Sequence, residues 1–377
     1  MATCSDDVLV DASIAMATYN GAEYLEEQLD SFARQTVLPT ELVVSDDAST
    51  DATREILAEF SRHAPFRVRI RTSGKTLGYA ENFQRAVRSC VGGIVFFADQ
   101  DDVWLPNKIE RVRRRFATNP FAQLVIHDRL VVDSKLRGIG VSSLSAVKAC
   151  RATIESYVAG SATAVRRALL ELAIPFPRLV DGTVGHDEWV HRLARSLCVA
   201  DVLDEALMLY RRHGDNVSRS YTVEASFGVV RTKFGEVQSA LETLGSALSG
   251  RRHTRLFALR QLELELMTRL RRPEAATLGC GTSEALSKAA QRVEVLSRRL
   301  EVLDGTFPCS RIREAKRAHR AGAYATTARG LASLVFDVVA TRGEIAEGIG
   351  VTEEEAQEHH GQKTDGAHTR RPVGPAE

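Results

Sequence analysis

Between residues 13 and 102, short apolar runs alternate with amphipathic stretches, and each run stops at a polar cluster. That rhythm builds βαβ units and a mainly parallel sheet, which confines the chain to the α/β class. Ser13-Ile14-Ala15-Met16-Ala17-Thr18-Tyr19 reads as a buried strand closed by Asn20-Gly21. The following stretch, 22–34, sets Leu25, Gln28, Leu29 and Phe32 at helical spacing, with Glu23, Glu26 and Glu27 opposite. Leu42-Val43-Val44 is the second strand, ending at Asp46-Asp47, and Ser49 or Asp51 can cap the next helix, to about 61. Val68-Arg69-Ile70 gives a third strand, 79–89 a helix burying Phe83, Ala86 and Val87, and Ile94-Val95-Phe96-Phe97-Ala98 the central strand. Beyond Pro106, Ile109, Val112 and Phe116 mark another helix.

Farther on, 124–126 and 130–132 read as two strands, and 157–165 is rich in small residues (Ala159, Gly160, Ser161, Ala162), as where a backbone approaches another group closely. A short helix near 184–196 and a last strand near 206–210 follow. After Asn216 the leucine spacing predicts helices over 229–248, 256–270 and 283–303, and the tail from 352 is too polar to fold. The expected division is an N-terminal extension (1–11), an α/β domain (12–220), a helical region (221–345) and a disordered tail (346–377).

Composition narrows function by exclusion. Lys and Arg number 50 against 49 Asp and Glu, a formal charge of +1, so the basic footprint of a nucleic-acid binder is missing and no nucleic-acid partner is expected. Six cysteines lack zinc-ligand spacing, and free buried thiols are the expectation. The longest apolar stretch in the second half, 331–340, holds Asp337 and falls short of the roughly 20 residues a membrane span needs. Residues 1–11 carry three aspartates and no basic n-region, so the expected location is the cytoplasm.

The chemistry-bearing residues gather at predicted strand ends. Asp99-Gln100-Asp101-Asp102 follows the central strand, where open α/β sheets bind ligands, and its hard oxygens suit Mg²⁺ or Mn²⁺ beside a diphosphate. Taken alone, that run and Asp46-Asp47 would also serve as helix caps. Neither a GxGxxG nor a GxxxxGK[ST] loop is present, so a metal must neutralise any phosphate. Gly185-His186-Asp187-Glu188-Trp189 heads a helix, where Asp187 is either a general base or a favourable charge at the positive helix end. Tyr210-Arg211-Arg212-His213 closes the last strand, where a histidine beside arginines can face a phosphate.

In their order along the chain, these segments together with Glu26-Glu27-Gln28-Leu29-Asp30-Ser31, Gln35-Thr36, Leu77-Gly78 and Val103-Trp104-Leu105-Pro106-Asn107-Lys108-Ile109 resemble glycosyltransferase family 2, in its bacterial rhamnosyltransferase-like branch. The resemblance covers about 13–218. It implies a GT-A fold, Rossmann-like with helices on a mainly parallel sheet, followed here by a C-terminal helical region. It implies that Thr18, Tyr19, Asn20 and Asp47 bind the nucleoside of a nucleotide-sugar donor, and that Asp99 and Asp101 hold the ribose side with Asp101 and Asp102 on the metal. Arg211 and His213 would close the donor diphosphate, and Asp187 would be the catalytic base. Ala48 departs from the glycine often found there.

The function implied is a metal-dependent inverting transfer of a sugar, rhamnose or a similar one, to a hydroxyl of a glycan, lipid-linked or small-molecule acceptor, as in cell-surface polysaccharide synthesis. The alternatives are a non-catalytic nucleotide-sugar scaffold and a sugar nucleotidyltransferase; the latter would need a Gly-rich phosphate loop that Thr18-Tyr19-Asn20-Gly21 does not provide. For the C-terminal helices, Leu256, Leu259, Leu262, Leu266, Met267 and Leu270 amid arginines fit either packing on the catalytic domain or a partner copy, or a basic surface toward anionic lipid at the inner membrane face.

Overall fold

The computed structural model describes residues 10–149, 157–179, 185–214, 216, 251–279, 281–304, 308–324, 334 and 337. Its first half is built from β1 (Ala12–Thr18), α1 (Ala22–Ala33), β2 (Glu41–Asp46), α2 (Thr53–His63), β3 (Arg67–Thr72), α3 (Tyr79–Ser89) and β4 (Ile94–Ala98). The strands pair in parallel in the order β3-β2-β1-β4. The residues of β2 and β4 are all buried, β4 as the unbroken apolar run expected of a strand covered on both faces and β2 with Leu42-Val43-Val44 at its centre. β3, with arginines at alternate positions, is the more exposed edge strand. Register places Thr18 opposite Asp46 and Met16 opposite Ala98, so the loops after β1, β2 and β4 leave along one rim.

Past β4 the sheet becomes mixed. β5 (Val103–Trp104), α4 (Lys108–Thr118), β6 (Leu124–Asp133), β7 (Gly138–Ser142), α5 (Ser143–Ala149), β8 (Thr163–Arg166), α6 (Arg167–Ala173), α7 (His186–Ser196) and β9 (Ala200–Arg212) complete this part. β8 runs antiparallel between β4 and β6, β9 runs parallel to β6, and β5 lies antiparallel on β9. Two expectations change. The strands read at 124–126 and 130–132 are one strand, because the polar His127, Asp128 and Arg129 between them are buried where the ladder with β9 shifts register. The last strand begins at Ala200, its first half only partly buried and so weakly patterned.

In the C-terminal region lie α8 (Arg251–Leu270), α9 (Pro273–Leu278), α10 (Thr282–Asp304) and α11 (Pro308–Arg320). Leu262, Leu266 and Leu270 of α8 and Ala285 and Ala289 of α10 join the same core as Trp189, Leu193 and Leu197 around α7. Buried Glu263 accepts from Arg192 of α7 (2.7 Å) and pairs with Arg292 of α10 (2.9 Å). This stripe therefore faces protein, which is the packed-helix alternative; those leucines are not free to meet lipid. The helix expected over 229–248, the boundary near 220, the polar tail and residues 1–9 lie outside the described residues. Among the described residues no helix is long and apolar enough to cross a membrane. Cys90 is a free buried thiol as expected, whereas Cys198 is exposed.

Candidate active site

The β1 and β2 loops are bonded into one surface before any ligand is considered. Thr18 is buried, and its hydroxyl donates to Asp46 (3.1 Å). Asn20 stands at φ 46°, a left-handed backbone that asparagine tolerates, with its N–H on Ser49 Oγ (2.9 Å) and its Oδ1 accepting from Thr50 N–H (2.8 Å). Asp51 accepts from Ala22 N–H (3.1 Å) and Thr53 N–H (3.1 Å), joining the starts of α1 and α2. Burial alone would raise the Asp46 carboxyl, but hydrogen bonds from Ser49 and Arg54 hold it below its ordinary value.

Asp47 is buried as well. Its carboxylate accepts from Leu77 N–H (2.6 Å) and Gly78 N–H (2.9 Å) at the head of α3, so the expected nucleoside ligand here holds the neighbouring loop. Tyr19, 53% exposed, offers its ring to solvent. Its backbone is tied to the acidic run: Tyr19 N–H donates to Gln100 Oε1 (2.9 Å), and Gln100 Nε2 returns a bond to Tyr19 O (3.1 Å). The Gln100 amide lies where a Cβ on Gly21 would be, which is why that turn needs glycine.

Asp99, Asp101 and Asp102 present carboxylate oxygens that lie within 4.8 Å of one another. Burial, then the charges of Asp101, Asp102 and Asp187, pushes Asp99 well above its ordinary range; burial and the Asp101 charge push Asp102 up to about 7. The three differ in access. Asp102 is fully buried, with Oδ1 accepting from Arg211 N–H (3.0 Å) and Oδ2 lacking a partner among the described residues. The Asp101 side chain is 17% exposed and meets His213 Nε2 at 2.8 Å, with Asn216 Nδ2 at 3.3 Å.

Crowded hard oxygens with one buried orphan fit a divalent cation, and the fit is better than for a plain helix cap, which would leave no carboxylates forced together. Two buried basic side chains that sequence reading missed act electrostatically on the cluster. Lys108, fully buried, donates to Ser161 O (2.8 Å) and sits 3.6 Å over the Trp104 ring; burial pulls its ammonium well below the ordinary range. Arg129 lies 3.7 Å over the Tyr210 ring. Both come from stretches whose pattern looks like any amphipathic surface; only the register fixes them inward.

Arg211 is 2% exposed, and its donors go to protein. Nε bonds Asp101 O (2.8 Å), Nη1 bonds Ser134 O (2.7 Å) and Nη2 pairs with Glu27, while the guanidinium lies 4.5 Å over the Tyr24 ring. It clamps the acidic loop where the sequence suggests a phosphate contact.

Asp187, at the first turn of α7, lines an open cleft of about 730 Å³ with Val158, Gly185, Glu188, Arg192, Arg195, Ser196 and Arg292. Although burial opposes it, its carboxyl lies below the ordinary value, with Oδ1 accepting from Glu188 N–H (2.9 Å), so Asp187 is ionised at neutral pH. Its charge also acts on Asp99, after burial and the charges of Asp101 and Asp102. Tyr79 was missed by sequence. Its residue is 43% exposed, yet desolvation and then the charges of Asp99 and Asp187 hold its hydroxyl well above the usual range, so it stays protonated.

The sequence model described as glycosyl transferase family 2 matches residues 13–171. An uncharacterized glycosyltransferase of Nostoc sp., alr2836, is 28% identical over 213 residues, covering 54% of this chain and 65% of that protein. The dTDP-rhamnosyl transferase RfbG of Shigella flexneri is 38% identical over 99 residues, 25% of this chain and 34% of that one. This chain thus spans from about a third to just under two thirds of the length of these relatives. Among solved structures, S. aureus TarS residues 1–349, in complex with UDP, superposes with a TM-score of 0.52 over 87% of this chain and 88% of that one, at 17% identity, which bears on the fold alone. The loops after β1, β2 and β4 thus lie inside the segment that matches the glycosyl transferase family 2 model, and the fold around them is a GT-A-like mixed α/β sheet.

Proposed function

We propose that this chain transfers a sugar from a nucleoside-diphosphate sugar to an acceptor hydroxyl with inversion, Asp187 serving as general base. The observation that carries the reading is the pairing of an ionised Asp187 at the head of an open cleft with the triad of Asp99, Asp101 and Asp102 within its electrostatic reach. One carboxylate beside a cation site and a cleft is what a single displacement requires; no enzyme nucleophile is needed.

The residues that would hold Mg²⁺ or Mn²⁺ are Asp99, Asp101 and Asp102, with His213 beside Asp101; we assign Asp101 the outer position, since Asp102 lies beneath it with one oxygen on Arg211 N–H. When bound, the ion supplies neutralisation of the charge that develops on the leaving diphosphate. The chain does the rest. Tyr19, exposed over the β1 loop, offers a stacking face to the donor base, and Thr18, Asn20 and Asp47 hold that loop in shape. Asp187 takes the acceptor proton, a role worth about 10²- to 10⁴-fold. Arg192 and Arg195 of α7, with Arg292 brought by α10, line the cleft through which an acceptor reaches the base.

Rhamnose is the first donor sugar to test, because RfbG is among the relatives. Transfer from a panel of UDP-, GDP- and dTDP-sugars with Mg²⁺ or Mn²⁺ is the experiment, comparing the wild type with Asp187→Asn and Asp101→Asn. Loss of turnover with retained nucleotide binding in Asp187→Asn is expected. Full activity in that variant removes the base assignment, activity undiminished by EDTA removes the cation, and nucleotide binding without turnover in the wild type leaves a scaffold.

A further inference from the structure

The leucines of α8 face protein, but α11 carries a surface that the transfer chemistry does not use. Arg313, Lys316, Arg317 and Arg320 stand at i, i+3, i+4 and i+7, a spacing that lines side chains along one side of a helix. All four are exposed. Ala315 and Ala318 point the other way and are buried with Val302 of α10, Ala323 and Tyr324. Arg311 Nη2 ties the packed side to Leu303 O (3.0 Å). The cationic side is therefore the one left facing outward once α11 has packed on α10.

These charges are not cancelled where they stand. Glu314 is the single acid of α11 and pairs with Arg317 at 3.6 Å; among the described residues Arg313, Lys316 and Arg320 have no ion pair. On α10, by contrast, Lys288 pairs with Glu284 and Arg298 with Glu294, each one turn away. Like charges one turn apart, as in Arg313 with Arg317 and Lys316 with Arg320, destabilise a helix, and an anionic surface laid along them removes that repulsion. A straight row of cations suits a plane of phosphates. Single-stranded nucleic acid would want aromatic rings to stack on, and α11 has no Phe, Tyr or Trp. Ile312, 45% exposed beside the row, offers an apolar side chain to a headgroup layer.

We propose that the face of α11 formed by Arg313, Lys316, Arg317 and Arg320 docks the protein on an anionic lipid surface. Headgroup phosphates hold it there, since the apolar side of the helix is spent on α10 and cannot insert. The same α10 brings Arg292 to the cleft, so docking through α11 ties the cleft to the lipid plane. The binding needs no catalytic residue and stands apart from the assignment of Asp187.

The test is co-sedimentation with vesicles of phosphatidylcholine, alone or with about 30% phosphatidylglycerol. The full-length protein is used, so that the glutamate-rich stretch 344–358 can compete for the face in every measurement. Each cation held near an anionic surface is worth about fivefold in binding, so Arg313→Gln with Arg320→Gln should weaken binding to the anionic vesicles about 25-fold. Arg62→Gln with Arg114→Gln removes the same charge from exposed positions of α2 and α4 and should change binding by less than about threefold. Lysine at 313, 317 and 320 should keep binding within about twofold of the wild type, and about 500 mM NaCl should release the wild type from the vesicles. Equal losses from the two glutamine pairs overturn the proposal, as does equal binding to neutral vesicles, or a loss in the α11 pair that only follows a lowered melting temperature. Binding to single-stranded DNA without binding to vesicles would overturn it in favour of a nucleic-acid surface, and binding to neither would leave the row as solvated charge.

Discussion

Arg211→Lys separates a clamp from a phosphate contact. In the structure the guanidinium, 2% exposed, makes two bonds to main-chain carbonyls, Asp101 O at 2.8 Å and Ser134 O at 2.7 Å, besides its pair with Glu27. The Glu27 side chain is 54% exposed, so that pair adds little. Hydrogen bonds from a charged donor are worth about 1.5–3 kcal/mol each, and a lysine ammonium can reach only one of the two carbonyls. The expected loss is about 2–4 kcal/mol of unfolding free energy, read by urea denaturation. Because Nε fixes the main chain of Asp101, whose carboxylate meets His213, titration of UDP in the presence of Mn²⁺ should also weaken. Unchanged stability, within about 0.5 kcal/mol, alongside weakened UDP binding would refute the clamp and return Arg211 to the diphosphate.

Other outcomes follow from single residues. Ala48 holds φ 61°, where an L side chain is strained, so Ala48→Gly should stabilise by about 1 kcal/mol in denaturation; an unchanged or lower value means the turn carries no strain. His186 and His191 are buried neutral, with burial lowering them to about 4 and 3 from 6.5. As pH falls below 6.5 the unfolded chain takes up protons that the folded chain refuses, so stability is full above that value and declines toward about 4. Each histidine should remove about 2 kcal/mol between pH 7 and pH 5, less one share in His186→Phe, and a flat profile over that window would contradict their burial. Glu263→Gln strips the counter-charge from Arg192 and Arg292, which are 26% and 44% exposed. A loss of about 1–2 kcal/mol and faster proteolysis of α8 and α10 are expected; wild-type behaviour would mean the pairs do not dock these helices.

Legibility followed periodicity. β1, β2 and β4 announce themselves as apolar runs of residues buried on both faces, and α1 and α3 by Leu25, Leu29, Phe32 and by Phe83, Ala86, Val87, so the parallel half was readable to within a residue or two. The mixed half was not. β6 carries His127, Asp128 and Arg129 inside its core-facing stretch, which breaks any apolar count, and β5 is two residues long, too short to have a pattern. In the site, aspartates were visible as a type in a place, whereas the inward-facing Lys108, Arg129 and His186 looked like surface residues of amphipathic segments, because burial of a charge or an imidazole leaves no periodic mark. The Gly160 stretch was visible as a close approach, but not what it approaches.

The least readable element is the one that assembles the site. β5 pairs Val103 with Leu209 and Trp104 with Met208, and so lays the segment following the acidic run against the end of β9. That places Arg211 N–H on Asp102 Oδ1 and carries the chain on to His213, whose Nε2 reaches Asp101. Residues about a hundred positions apart therefore meet through two pairs of a ladder. A contact so short contributes little stability of its own, and its geometry is held by what flanks it: the Trp104 ring beneath the Lys108 ammonium, the Trp104 N–H on Ser31 Oγ (3.0 Å), and the Arg211 clamp. The acidic run after β4 is thus positioned from the antiparallel side as much as from the parallel one. The parallel half sets out the loops after β1, β2 and β4 along one rim, but Asp102 and Asp101 find their partners Arg211 N–H and His213 only when the end of β9 is brought across.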